Sequence, residues 1–113
     1  MQRDQINIGA FEAVDIRAGT VVAAEEFPKA RKPAFKLWID FGPLGRKRSS
    51  AQLTQLYTTD DLLGRQVAAV VNFPPRQIAD FLSEVLVLGM PDADAAVVLV
   101  SPERGVPDGA RLF

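Results

Sequence analysis

The chain has 113 residues, of which 48% are hydrophobic and 24% charged. That is the size and composition of one globular domain, and a chain this long hides roughly 65% of the surface its unfolded form exposes, enough to fold without staples. It contains no Cys and no His, which excludes disulfides, thiolate nucleophiles and Cys-bearing zinc sites and removes the commonest near-neutral proton carrier and metal ligand.

The formal net charge is −1, but the charges are unevenly placed. Lys29 to Arg48 holds seven basic residues and one acid, Asp40; Asp80 to Asp108 holds six acids and one base, Arg104. A phosphate backbone responds to such a local positive patch and not to the sum. A solvated basic loop balanced by an acidic surface would give the same pattern. The opening Met1-Gln2-Arg3-Asp4-Gln5-Ile6-Asn7 lacks the apolar core of a signal peptide, and no run approaches the ~20 apolar residues of a membrane span. A cytoplasmic protein is expected.

Gly9 to Ala13 suits one helical turn. Val14 to Phe27 reads as a long strand, with Gly19 marking a bulge or sharp bend. Phe35, Leu37, Ile39 and Phe41 alternate with Ala34, Lys36, Trp38 and Asp40, which predicts a strand with one apolar and one mixed face. Gly42-Pro43-Leu44-Gly45 turns the chain. Arg46 to Thr54 is expected to return as the partner strand, with Ser49, Ala51 and Leu53 on one side and Arg48, Ser50 and Gln52 on the other. Thr58 to Gly64 has helix-start and helix-stop signals around the Asp60-Asp61 pair. Val67 to Phe73, Phe81 to Leu88 and Ala96 to Val100 are three more predicted strands, and Val106 to Gly109 is a terminal turn. The fold class is therefore all-β. The expectation is an OB-type five-stranded barrel with one short helix and with extensions at residues 1–13 and 101–113, forming a single domain over 1–113.

OB folds bind strands of nucleic acid on the outer face of their second and third strands. The alternation puts Lys36, Trp38, Arg48, Ser50 and Gln52 there, with Lys29, Arg31 and Lys32 in the adjoining loop. Cations can neutralise phosphates, Ser and Gln can hydrogen-bond, and Trp38 can stack on a base or, equally, sit in a subunit interface. A polypeptide site would instead need apolar surface with a polar rim, for which Phe73 and Ile78, beside Pro74-Pro75, are the best candidates. Catalysis is not expected: Ser49-Ser50 has no His partner, and no nucleophile elbow or phosphate-binding glycine loop is present.

Several strings carry a family resemblance. "DIRAGTVV" from Asp15 resembles the opening strand of the tRNA-binding-domain family. "ARKPAFKLWIDFGPLG" from Ala30, "SSAQLT" from Ser49, "NFPPRQIADF" from Asn72 and "SEVLVLG" from Ser83 look like its CsaA branch, and "VPDGARL" from Val106 matches the closing segment. The resemblance runs from about Phe11 to Phe113. It implies an OB fold, a homodimer and a binding role without cofactor or metal, with tRNA or unfolded polypeptide as partner and protein export as the setting. Arg31, Lys32, Lys36, Ser50, Gln52, Asn72 and Ser83 are the motif positions it carries over to a ligand groove, and Arg76 joins them from the "NFPPRQIADF" string. One departure stands out. Ser83-Glu84-Val85-Leu86 puts a carboxylate where tRNA binders commonly have Met or Gly.

Overall fold

The computed structural model describes residues 2–113. Helix α1 (Ile8–Glu12) is a single turn whose N-terminus is capped by Asn7, the side chain accepting from the Gly9 N–H at 2.9 Å. Strand β1 (Ile16–Glu26) follows, then β2 (Phe35–Asp40), a short 3-10 turn at Gly42–Leu44, and β3 (Arg46–Ala51). Helix α2 (Thr59–Leu62) leads into β4 (Gln66–Val70), β5 (Arg76–Ile78) and β6 (Phe81–Ser83). The chain closes with β7 (Leu86–Val87), β8 (Gly89–Pro91) and β9 (Val97–Leu99).

Five strands form one antiparallel sheet in the order β3-β2-β1-β4-β7, and β5-β6 and β8-β9 are separate hairpins. The sheet curls until its two edges nearly meet, the barrel of an OB fold. Closure comes at Arg48, whose carbonyl accepts from the Glu84 and Val85 N–H groups at 2.8 and 3.3 Å. Inside lie Val21, Leu37, Ile39, Phe41, Leu62 and Val67, all essentially inaccessible to solvent. The predicted alternation of β2 is therefore realised, with its apolar face forming the middle of the core.

Several boundaries differ from expectation. The β1 bulge is at Val22, between the pairs Val21↔Ile39 and Ala23↔Trp38, and not at Gly19. Gly19 is required for a different reason: a Cβ there would lie 2.6 Å from Ile39 Cγ2 and 2.7 Å from Phe41 Cδ1, so the glycine lets core side chains from β2 lie directly on the β1 backbone. The strand expected over Phe81 to Leu88 is broken at Glu84-Val85, where both N–H groups turn to Arg48. The short strands β5 and β8 were not anticipated. The C-terminal segment runs back along β1, with Gly109 N–H donating to the Ala18 carbonyl at 2.7 Å and Leu112 N–H to Ile16 at 2.9 Å. Among the described residues no helix is long and apolar enough to cross a membrane.

Three carboxylates are tied into this framework. Asp61 forms a capping box with Thr58, accepting the Thr58 N–H at 2.9 Å. Asp15 accepts from Arg17 Nε at 2.6 Å, and Asp80 from Lys29 Nζ at 2.9 Å. These hydrogen bonds stabilise the charged form and hold all three carboxyls below the ordinary value of 3.8. A depressed folded value means that their contribution to stability is complete above the unfolded value and is lost as pH falls through the folded one. Thermal midpoints measured from about pH 5 down to about pH 2 should therefore decline. Asp61→Asn should show a shallower decline; an identical slope would remove Asp61 from this set.

Candidate ligand groove

On the outer face of β2 and β3, Lys36 stands opposite Ser50 and Trp38 opposite Arg48. The β5-β6 hairpin folds over this face and drives Phe81 into it. The buried Phe81 ring meets Trp38 edge-on at 5.7 Å and Phe27 at 5.5 Å. Lys36 Nζ lies 5.0 Å from the Phe27 ring centre and 5.5 Å from that of Phe81, and the Arg48 guanidinium is 5.4 Å from Phe81. Arg48 Nε is also 3.6 Å from the Glu84 carboxylate. Trp38 thus packs into a second, smaller core under the hairpin, and Lys36 and Arg48 lie over its aromatic rings, all three half-buried.

Beside this covered strip the surface opens into two cavities that share Ser50, Gln52, Arg76 and Ile78. The first, of about 500 Å³, occupies the seam of the barrel between Ser50–Leu53 and Val85–Gly89, with Phe73 and Val97 contributing apolar wall. The second, of about 660 Å³, lies between the loop after β1 and the β5-β6 hairpin. It collects Lys29, Arg31, Lys32 and Arg76 with one side of Ser50 and Gln52. The Lys29–Asp80 ion pair joins its two walls, but both side chains are more than half exposed, and such a pair contributes little to stability.

The structure therefore brings Arg31, Lys32, Ser50, Gln52 and Arg76 into one basic cavity and Ser50, Gln52, Arg76 and Ser83 into the seam. Ser83 is engaged in closing the barrel: its hydroxyl accepts the Ser50 N–H at 2.9 Å and donates to the Val85 carbonyl at 3.4 Å. Asn72 is committed elsewhere. Its Oδ1 accepts from the Asp15 N–H and its Nδ2 donates to the Ala13 carbonyl, both at 2.9 Å, so it anchors the segment after α1. Phe73, expected as exposed apolar surface, is 47% exposed on the seam cavity; Ile78 is half-buried in β5. Sequence reasoning did not find the seam wall from Leu86, Val87 and Val97. The only cue available was Gly89, which marks the close approach of β9: a Cβ there would meet Val97 and lie 3.1 Å from the Val98 carbonyl.

Residues 16–111 match the family model for the tRNA binding domain. The chain is 32% identical over 109 residues to the methionine–tRNA ligase of Methanocaldococcus jannaschii, a match that covers 96% of this chain and 16% of the ligase. It thus spans about a sixth of the length of the curated relatives it matches. Among solved structures, the CsaA chaperone of Bacillus anthracis superposes with a TM-score of 0.90 at 51% identity, covering 97% of this chain and 100% of the other. The CsaA chaperone of Picrophilus torridus does so with a TM-score of 0.90 at 46% identity, covering 96% and 100%. A barrel of this topology, a family match over most of its length and two whole-chain CsaA relatives lead to one assignment: the chain belongs to the tRNA binding domain family, as a CsaA-like member.

Proposed function

We propose that this chain is a cytoplasmic, homodimeric, CsaA-like chaperone that holds unfolded polypeptide in export, a binding protein and not an enzyme. The observation that carries this reading is the seam cavity. It is apolar on the side of Phe73, Leu86 and Val97 and polar where it meets Arg76 and Gln52. Mixed surface of this kind suits non-native chain segments, which expose apolar residues among charged ones. The test is a competition between an unfolded polypeptide and tRNA for the purified protein. Preferential polypeptide binding is expected, and Phe73→Ser should weaken it by roughly 1–2 kcal/mol while the protein stays folded. Exclusive retention of tRNA would overturn the reading.

Dimerisation is supported by exposed apolar side chains around α1. Ile6 and Ile8 are 76% and 72% exposed in the single chain, and apolar surface of this kind suits a partner. Sedimentation should give a dimer at micromolar concentration, and a monomer alone would reject it. A second reading, tRNA binding, is favoured by the basic cavity of Arg31, Lys32 and Arg76 and by the family to which the chain belongs.

A further inference from the structure

The groove presents the cations Lys29, Arg31, Lys32, Lys36, Arg48 and Arg76 to a ligand, and they are not equally free. Arg31, Lys32 and Arg76 form no ion pair among the described residues. Lys36 Nζ rests over the Phe27 and Phe81 rings. The remaining two each meet a carboxylate. Lys29 Nζ is 2.9 Å from Asp80, and Arg48 Nε is 3.6 Å from Glu84. Both carboxylates come from the β5-β6 hairpin, Asp80 from its turn and Glu84 from the residue that follows β6.

The backbone fixes the place of both carboxylates. Asp80 precedes Phe81, which is buried in the second core, and Gln77 Nε2 donates to the Ala79 carbonyl within the same turn at 2.9 Å. Glu84 is held at two points. Its N–H donates to the Arg48 carbonyl at 2.8 Å, and its carboxylate accepts the Arg48 N–H at 3.0 Å. The hydrogen bond from Lys29, helped by the charge on Lys36, keeps the Asp80 carboxyl below its ordinary value of 3.8 and so ionised at neutral pH. The exposed Lys29–Asp80 pair adds little to stability. Its charge still shapes the field of the groove: a phosphate that approaches Lys29 meets the Asp80 carboxylate as well, and like charges brought together suppress association.

Resting on the chaperone reading above, we infer that Asp80 and Glu84 are specificity-determining residues: two fixed counter-charges that withhold Lys29 and Arg48 from a phosphodiester backbone and turn the groove against RNA. Discrimination between two partners can come from repelling one as well as from attracting the other. A polyanion repeats its charge at every unit and cannot avoid either carboxylate. A polypeptide of mixed charge can set a neutral or basic residue against each. The selection therefore acts on charge density and not on sequence. Asp80 and Glu84 pair different cations, so their effects on RNA binding should add.

The test titrates the full chain with a fluorescently labelled oligouridine at several salt concentrations. Each cation returned to the groove adds about 0.7 to the salt slope on a single strand, which is about fivefold in affinity near 0.1 M salt. Asp80→Asn and Glu84→Gln should each steepen the slope and raise RNA affinity by about that factor, and the double variant by about 25-fold, with the gain shrinking toward about 1 M salt. Glutamine keeps an acceptor for the Arg48 N–H, so the barrel stays closed. Asp80→Asn alters an exposed pair and decides the matter alone if Glu84→Gln unfolds the protein. Asp94→Asn removes the same charge from the exposed β8-β9 turn, outside both cavities, and should leave the slope unchanged. A wild-type slope in Asp80→Asn and in the double variant, or an equal gain from Asp94→Asn, would overturn the inference; if unfolded polypeptide still outcompetes tRNA, the chaperone reading survives. Steeper slopes in a protein that binds no polypeptide would keep the counter-charges and overturn the chaperone reading instead.

Discussion

Replacing Phe81 by alanine is expected to lower the free energy of unfolding by roughly 3–5 kcal/mol, the usual range for a large buried aromatic side chain, and to move the emission of Trp38 to longer wavelength. Phe81 is 3% exposed and lies at the centre of the second core, touching the Trp38 and Phe27 rings while two cations rest on its own. Without it the three-residue strands β5 and β6 lose the anchor that presses them on β2 and β3. Trp38 is the chain's single tryptophan, so its emission reports the uncovering of this face alone. Denaturant unfolding followed by fluorescence checks both parts. Phe81→Leu keeps much of the volume but removes the ring. It should cost less stability than Phe81→Ala while still removing the Phe81 ring from under Lys36 and Arg48, Lys36 keeping its contact with Phe27. A Phe81→Ala protein as stable as the wild type would mean that the hairpin is held by something other than this ring.

The same residue explains how far the site could be read in advance. The β2 pattern from Phe35 to Phe41 is long and regular, and strict alternation is a strong signal, so the core face of the barrel and its mixed outer face were both legible. The start of α2 was legible too, because a Thr cap at 58 or 59 and an acidic first turn are local signals; Thr58 takes the cap, and Asp61 closes a capping box that was not foreseen. The environment of Trp38 was not. It depends on a hairpin about forty residues downstream, and three-residue strands after Pro74-Pro75 carry no periodicity to detect. Phe81 to Leu88 invited the opposite error. Its apolar residues run on almost without pause, but Glu84 and Val85 are drawn out of line by the single carbonyl of Arg48, a contact between distant segments. Asn72 likewise sits in a family motif, yet both ends of its amide are spent on Ala13 and Asp15.

If the basic cavity serves tRNA, the second reading, its affinity should depend steeply on salt and should depend on Arg31, Lys32 and Arg76. These three line one cavity and are exposed. Each phosphate they neutralise releases condensed counterions, so log affinity falls with log salt by about 0.7 per contact on single strands and 0.9 on duplex. Three contacts give a slope of roughly −2 to −3, and their loss near 0.1 M salt costs about 100-fold or more in affinity. Reversing all three charges to glutamate should abolish tRNA binding at that salt concentration, with the melting midpoint little changed because exposed side chains hold no core contact. Lys36→Ala should alter the slope less than Arg31→Ala or Lys32→Ala, since the Lys36 ammonium is held over the Phe27 and Phe81 rings. Titrations at four or more salt concentrations with wild type and variants measure each slope. A wild-type slope near zero, or a triple variant that retains full tRNA affinity, would remove the cavity from RNA binding.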